Sequence, residues 1–134
     1  MGSSMKRLLI FIMLCFCCAT LFAQSRVFCE IVEKQALGKK VKVMIDFGQK
    51  RKKSKAAQTL VNERGKEIAF NSKIDALNHM DSLGWNFLQA YTVVSGSSGD
   101  SGSTSSEIHW LLYKDVTEGI DPYIGIETKE SYKK

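Results

Sequence analysis

The chain has 134 residues, of which 44% are hydrophobic and 25% are charged, and it carries a net charge of +5 and four cysteines. This length suits one domain, and the composition excludes a collagen-like repeat, a disordered polymer and a multi-span membrane protein. The apolar residues are concentrated near the N-terminus, so the whole-chain averages overstate the hydrophobicity of the remainder.

The N-terminal segment has the pattern of a secretory signal peptide. Lys6 and Arg7 precede a run that consists almost entirely of hydrophobic residues. A basic stretch followed by an apolar stretch of this length is typical of such a signal. We therefore predict that residues 1–23 are a signal peptide, with an N-terminal extension at 1–4 and cleavage near Ala23. The protein is then exported, to the periplasm or the extracellular space. The alternative is that the segment is retained as an N-terminal anchor.

Cleavage at this point changes the cysteine count and the charge. Three cysteines leave with the signal, and Cys29 alone remains in residues 24–134, so no internal disulfide can form. We expect Cys29 to be a buried thiol. The mature chain has 17 Lys and Arg against 14 Asp and Glu, a net charge of +3.

Alternating apolar residues predict a first hairpin and then a shorter one. The strands at 27–32 and 41–48 are joined through a turn at 38–40, and a short hairpin at 59–70 turns at Gly65. The intervening segment 49–57 is predicted to be a flexible loop.

One helix and a long hairpin follow. Ser72 is a good N-cap, the apolar residues from Ile74 to Leu83 fall on one side of a helix, and Gly84 ends it. We expect Trp85 to pack back against the last helical turn. Two further strands are predicted, separated by a flexible loop of Ser and Gly at 95–106; they span 85–94 and 108–113.

These elements predict a single α+β domain over residues 24–134. Its expected architecture is a four- to five-stranded antiparallel sheet with one helix packed on one face. The second face is predicted to be apolar for a solvated surface, and the position of the tail after Val116 stays open. The residues expected on that second face are either Leu111 and Tyr113, or Phe28 and Val32.

The helix and the strands around it also carry a resemblance. The run Ile74–Asn78 contains Ala-Leu-Asn, Gly84-Trp85 forms the exit from the helix, and the last strand ends in Leu-Leu-Tyr-Lys at Lys114. This pattern, over residues 59–115, resembles small bacterial secreted proteins of uncharacterised function. The resemblance implies secretion and the same fold, and it carries no catalytic residue across.

A basic run is the first candidate binding site. Five positive charges within six residues attract phosphate-rich or acidic partners. No aromatic residue interrupts the run, so base stacking is not indicated. The alternative is a solvated loop with no partner. The candidate anion-binding residues are Lys50, Arg51, Lys52, Lys53 and Lys55.

Aromatic and histidine residues supply the remaining candidates. Trp110 and Tyr113 are possible groove aromatics for a sugar or peptide, although core packing is the alternative. His79 and His109 permit an acid–base or metal site, but nothing supplies a third ligand at suitable spacing. We therefore predict no catalytic residue, no metal and no cofactor.

Three functions follow from these candidates. The leading hypothesis is an exported, non-catalytic domain that binds a protein or another cell-envelope component, with oligomers possible through the helix-free sheet face. The second is an anion-binding module for anionic lipid, acidic glycan or nucleic acid, acting through residues 50–55. The third is a small hydrolase or metal enzyme that uses His79 or His109.

Overall fold

The computed structural model describes residues 2–18, 24–34, 38–50, 54–96 and 104–132. Within these ranges, no helix is both long and apolar enough to cross a membrane. The signal peptide and the single mature domain stay predictions. The described elements are helix α1 (Gly2–Cys18), strands β1 (Gln24–Lys34) and β2 (Lys42–Asp46), a 3-10 helix (Lys55–Gln58), helix α2 (Lys73–Ser82), and strands β3 (Asn86–Gly96) and β4 (Thr104–Thr117).

The four strands form one antiparallel sheet in the order β2-β1-β4-β3. This confirms the predicted α+β class and antiparallel sheet. The first and the last of the three predicted hairpins become the pairs β1–β2 and β3–β4. Pairing of β1 with β4 joins them in the middle of the sheet. The short hairpin predicted at 59–70 is reduced to isolated bridges, one of which joins Val61 to Glu67.

Two predicted loops have shorter limits than expected. β3 continues to Gly96 and β4 begins at Thr104, so both ends of the segment 95–106 are strand. Residues 97–103 lie outside the described ranges. Likewise, the 3-10 helix at Lys55–Gln58 occupies the end of the segment 49–57. At the ends of the 95–106 segment, backbone pairing between β3 and β4 orders residues whose side chains alone predict a loop.

The core lies between one face of the sheet and the segments that follow β2. Alternate residues of a strand point to the same face, so Cys29, Ile31, Val43 and Ile45 share this side. The same buried cluster includes α2 and the residues on either side of it. Those members are Leu60, Phe70, Ala76, Met80 and Trp85.

Local signals set the limits of α2 as the sequence predicts. The Ser72 side chain accepts a hydrogen bond from the backbone N–H of Asp75 at 3.2 Å, which caps the first turn. Gly84 then takes a φ of 86°, a left-handed conformation that suits glycine. The chain turns there so that Trp85 enters the core with 1% of its surface exposed.

The tail after β4 packs on the core side. The ring of Tyr123 stacks on Phe47 at 4.4 Å between centroids and on Trp85 at 6.0 Å. Further along, Thr128 forms a bridge with Leu60. The tail position that the sequence left open is therefore beside the core and the 57–61 segment, so the described part of the tail does not cover the opposite sheet face.

Candidate functional site

The sheet face opposite the core carries exposed aromatic and aliphatic residues. Phe28 pairs with Tyr113 across β1 and β4, and Glu30 pairs with Leu111. The predicted placement of Phe28, Leu111 and Tyr113 on this second face is therefore confirmed. Phe28 is 49% exposed and Tyr91 of β3 is 40% exposed. We call this surface the open face; its residues are Phe28, Tyr91, Val93, Leu111 and Tyr113.

The 3-10 helix covers the β2 end of this side of the sheet. Val32 of β1 and Met44 of β2 are paired on the same side of the sheet as the open face, and both are buried. A cavity of about 230 Å³ remains beneath the helix. Its lining residues are Glu30, Val32, Met44, Ile45, Asp46, Lys55, Gln58 and His109.

A hydrogen-bonded group of three side chains lies between this cavity and the open face. The Glu30 carboxylate accepts from the Tyr91 hydroxyl through one oxygen and contacts Nδ1 of His109 through the other. When the carboxylate is ionised it only accepts, and Nδ1 of His109 is then the donor. The rings of Tyr91 and His109 also stack, with centroids 5.3 Å apart. Sequence reasoning missed this group because its members come from three strands.

The second imidazole nitrogen of His109 faces inward. Nε2 is buried, has no hydrogen-bond partner within the described residues, and lies 3.5 Å from Oε2 of Glu107. Lys55 in turn binds the same Glu107 oxygen at 2.8 Å. A general base needs its nitrogen within hydrogen-bonding reach of a substrate, and here the protein encloses that nitrogen. Glu30 on one side and Glu107 on the other therefore fix the orientation of the imidazole.

His79 lies in a different environment from His109. It lines a separate cavity of about 530 Å³, together with Val61, Arg64 and other residues. Its ring contacts Phe70 of the core with centroids 5.4 Å apart, and burial lowers its pKa below the usual histidine value. The structure does not bring the two histidines together, since each lines its own cavity. No group of three His, Cys, Asp or Glu side chains placed to hold a metal occurs in the described ranges.

The basic run is described only at its two ends. Lys50 and Lys55 are exposed, whereas residues 51–53, which are Arg51, Lys52 and Lys53, lie outside the described residues. The ammonium of Lys55 is paired with Glu107, and this contact is the main reason that the pKa of Glu107 falls below its usual range. One of the five positive charges is therefore offset by a carboxylate of β4.

The two predicted groove aromatics lie on opposite faces of the sheet. Trp110 pairs with Ile31 and packs against the core cluster, whereas Tyr113 pairs with Phe28 on the open face. They cannot line one groove. The Arg26 guanidinium lies 4.3 Å from the centre of the Tyr113 ring and makes two hydrogen bonds with Asp115, at 2.7 and 3.0 Å.

A lysine cluster at the other end of the domain was not predicted. Glu67 accepts from Lys34 at 3.0 Å, Lys42 at 2.5 Å and Lys129 at 2.9 Å. Hydrogen bonds from Lys42, Lys129 and Lys34 lower the pKa of Glu67 to about 2. These lysines come from three separate segments of the chain, so no local pattern in the sequence points to the cluster.

Glu67→Gln should destabilise the fold at neutral pH by about 1–2 kcal/mol, because it leaves three ammonium groups around an uncharged amide. The pKa of Glu67 is lower in the folded than in the unfolded state. Its contribution is therefore complete above about pH 5 and is lost as the pH falls toward 2. Urea unfolding between pH 7 and pH 2.5 should show that the difference in free energy of unfolding between wild type and variant becomes smaller as the pH falls. Exposed Glu118→Gln is the control, and a pH-independent gap would contradict this prediction.

Comparison with protein-family models, with curated proteins and with solved structures found no match for this chain. The resemblance of residues 59–115 to small bacterial secreted proteins therefore stays an expectation. The geometry of the described residues carries the functional argument.

Proposed function

We propose that this chain is an exported, non-catalytic domain that binds a protein partner through its open face. The observation that supports this is an exposed strip of aromatic and aliphatic side chains on a sheet, which neither the tail nor the 3-10 helix covers. Aromatic residues and arginine are enriched at the centres of protein–protein interfaces. Phe28, Tyr113 and the adjacent Arg26 supply this combination.

The charges around the open face favour a protein over an anionic surface. Arg26 is paired with Asp115, and Lys55 with Glu107, so each of these positive groups is offset by a carboxylate. Glu30 adds a further negative group beside the strip. An anionic lipid or acidic glycan binds best to unpaired positive charge, which the described part of this face does not offer.

The enclosed histidine supports a non-catalytic role. Glu30 and Tyr91 hold the His109 ring on one side, and Glu107 lies over its second nitrogen. Neither contact is with a serine, threonine or cysteine nucleophile that the imidazole would activate. The group fits the role of a rigid polar support beneath an interface.

A photo-crosslinking side chain at position 113 tests the proposal in the full-length chain, expressed in its own cells. We expect one discrete adduct with another protein. Phe28→Asp, directly across the strand pair, should reduce that adduct at least about tenfold, because it places a charge in the apolar strip. Ile74→Asp, at an exposed position on α2, should leave it unchanged.

Four results would contradict this function. The first three are absence of the adduct, an adduct that survives Phe28→Asp, and an equal yield from a probe at position 74. The fourth is an adduct of twice the chain mass, since the open face would then hold a second copy. Circular dichroism of both aspartate variants establishes that the comparison is between folded proteins.

A further inference from the structure

Strand β3 has an unusual composition for the edge of a sheet. It spans Asn86–Gly96 and pairs on one side with β4, while none of the described residues pairs with its other side. Its sequence, NFLQAYTVVSG, contains no charged residue and no proline, and its pairing with β4 is regular from Gln89 to Gly96, after a bulge between Phe87 and Gln89. Natural edge strands are usually protected by lysine, proline, a bulge or a covering segment, because unpaired backbone groups invite another strand.

The outer half of β3 also extends beyond the central strand. β1 pairs with β4 only as far as the Val32–His109 pair, yet β3 and β4 continue together to Gly96 and Thr104. This arm has two strands and carries exposed aliphatic side chains. A two-stranded ribbon is marginally stable by itself and gains from a third strand. The exposed aliphatic residues of the arm are Val93, Val94 and Ile108.

We propose that β3 pairs with β3 of a second copy of this chain, antiparallel about a two-fold axis, to form a continuous eight-stranded sheet. Pairing within the regular part of β3, with Gln89 opposite Val93 of the second copy, places Tyr91 on the axis. Ala90 then lies opposite Thr92 of the second copy. The backbone pairing uses the sheet edge and shares only Tyr91 and Val93 with the open face, so it can be tested separately from the protein-binding function.

The chemistry of β3 fits a copy of itself. In a two-fold pairing each residue meets a residue of the same strand, so a charged strand would repel itself wherever like charges were opposed. β3 has no charge to oppose. The pairing brings two Tyr91 rings together on one face.

The nearest charged groups on β4 do not interfere. Glu107 pairs with Val93 across the hairpin, on the side away from the free edge, and its carboxylate is bound by Lys55. The dimer therefore forms without placing an unpaired charge near the new strand pair. It satisfies outward-facing backbone groups of β3 that otherwise bind water.

Sedimentation velocity of the wild-type chain over about 1–100 µM should show a concentration-dependent monomer–dimer equilibrium. Val94→Lys introduces the charge that edge strands use against pairing, and it should weaken dimerisation at least about tenfold. Ile74→Lys is the matched control, since Val94 is 64% exposed and Ile74 is 63% exposed. The control should dimerise like wild type. A chain that stays monomeric throughout, or a dimer that Val94→Lys leaves intact, overturns the proposal.

A cysteine pair tests the register and does not depend on the lysine variant. In the double variant Ala90→Cys/Thr92→Cys, the cysteine at position 90 of one copy lies opposite the cysteine at position 92 of the other. Mild oxidation should therefore give a covalent dimer on a non-reducing gel. Either single variant should give far less. Cys29 will not compete, because it is buried and its thiol pKa is raised to about 12 by burial. No covalent dimer from the double variant would overturn the proposed register.

The two proposals fail separately. Val94→Lys should abolish the dimer and leave the crosslink from position 113 in place. Phe28→Asp should abolish that crosslink and leave sedimentation unchanged. Loss of both properties in one folded variant would contradict the claim that the edge and the open face act independently.

Discussion

Trp85→Ala should lower the free energy of unfolding by about 3–5 kcal/mol, the largest loss we expect from one substitution in this domain. Trp85 is almost fully buried, stacks on Tyr123 and has the Lys114 ammonium 6.0 Å from its ring centre. Removing the indole leaves a cavity where α2, the sheet and the tail meet. Urea unfolding followed by far-ultraviolet circular dichroism measures this loss directly.

Two companion variants separate packing from hydrogen bonding at this position. The indole Nε1 has no hydrogen-bond partner in the part of the chain that the structure describes, so Trp85→Phe should lose only part of the packing. Trp110→Ala, at a half-buried position beside the same core, should cost clearly less than Trp85→Ala. Equal losses for the two tryptophans would contradict the central position that we give to Trp85.

The position of Trp85 was predictable because the signals are local. A capping serine, an apolar helical stripe and a glycine stop all lie within 14 residues of Trp85, and each acts through neighbouring backbone groups. The strand alternation was equally readable, and both large hairpins pair as predicted. The buried state of Cys29 follows from the same alternation and is confirmed.

The candidate site depends on pairing between distant segments, which alternation does not determine. Glu30 and His109 are 79 residues apart and meet only because β1 lies beside β4 in one register. The sequence indicates two strands here but not which residues face each other. The Glu67 cluster is similar, since Lys129 reaches Glu67 only after the tail returns beside the 57–61 segment.

One error was avoidable from the sequence. Trp110 and Tyr113 are three positions apart in a strand, and side chains at odd spacing point to opposite faces. The alternation that predicted this strand therefore already places Trp110 and Tyr113 on opposite faces of the sheet. By the same parity Tyr113 belongs with Leu111 and His109, which is the set that the structure places on the side away from the core.

Glu30→Ala should destabilise the domain by about 2–3 kcal/mol, because it leaves Nδ1 of a buried histidine and the hydroxyl of Tyr91 without their shared acceptor. Tyr91→Phe should cost less than 1 kcal/mol, about the net value of one hydrogen bond at an exposed position. Glu33→Ala is the matched control. This variant removes an exposed carboxylate from the same strand. Oε2 of Glu33 lies 2.8 Å from Nζ of the half-buried Lys73.

The pattern of losses distinguishes a structural group from a catalytic one. A polar support beneath the open face predicts a large loss of stability for Glu30→Ala, a small one for Glu33→Ala, and partial recovery in the double variant Glu30→Ala/His109→Leu. Recovery follows because the second change removes the unpaired imidazole and restores apolar packing under the 3-10 helix. If Glu30→Ala unfolds in urea like wild type, the group does not support the fold, and a chemical role for His109 becomes the better explanation.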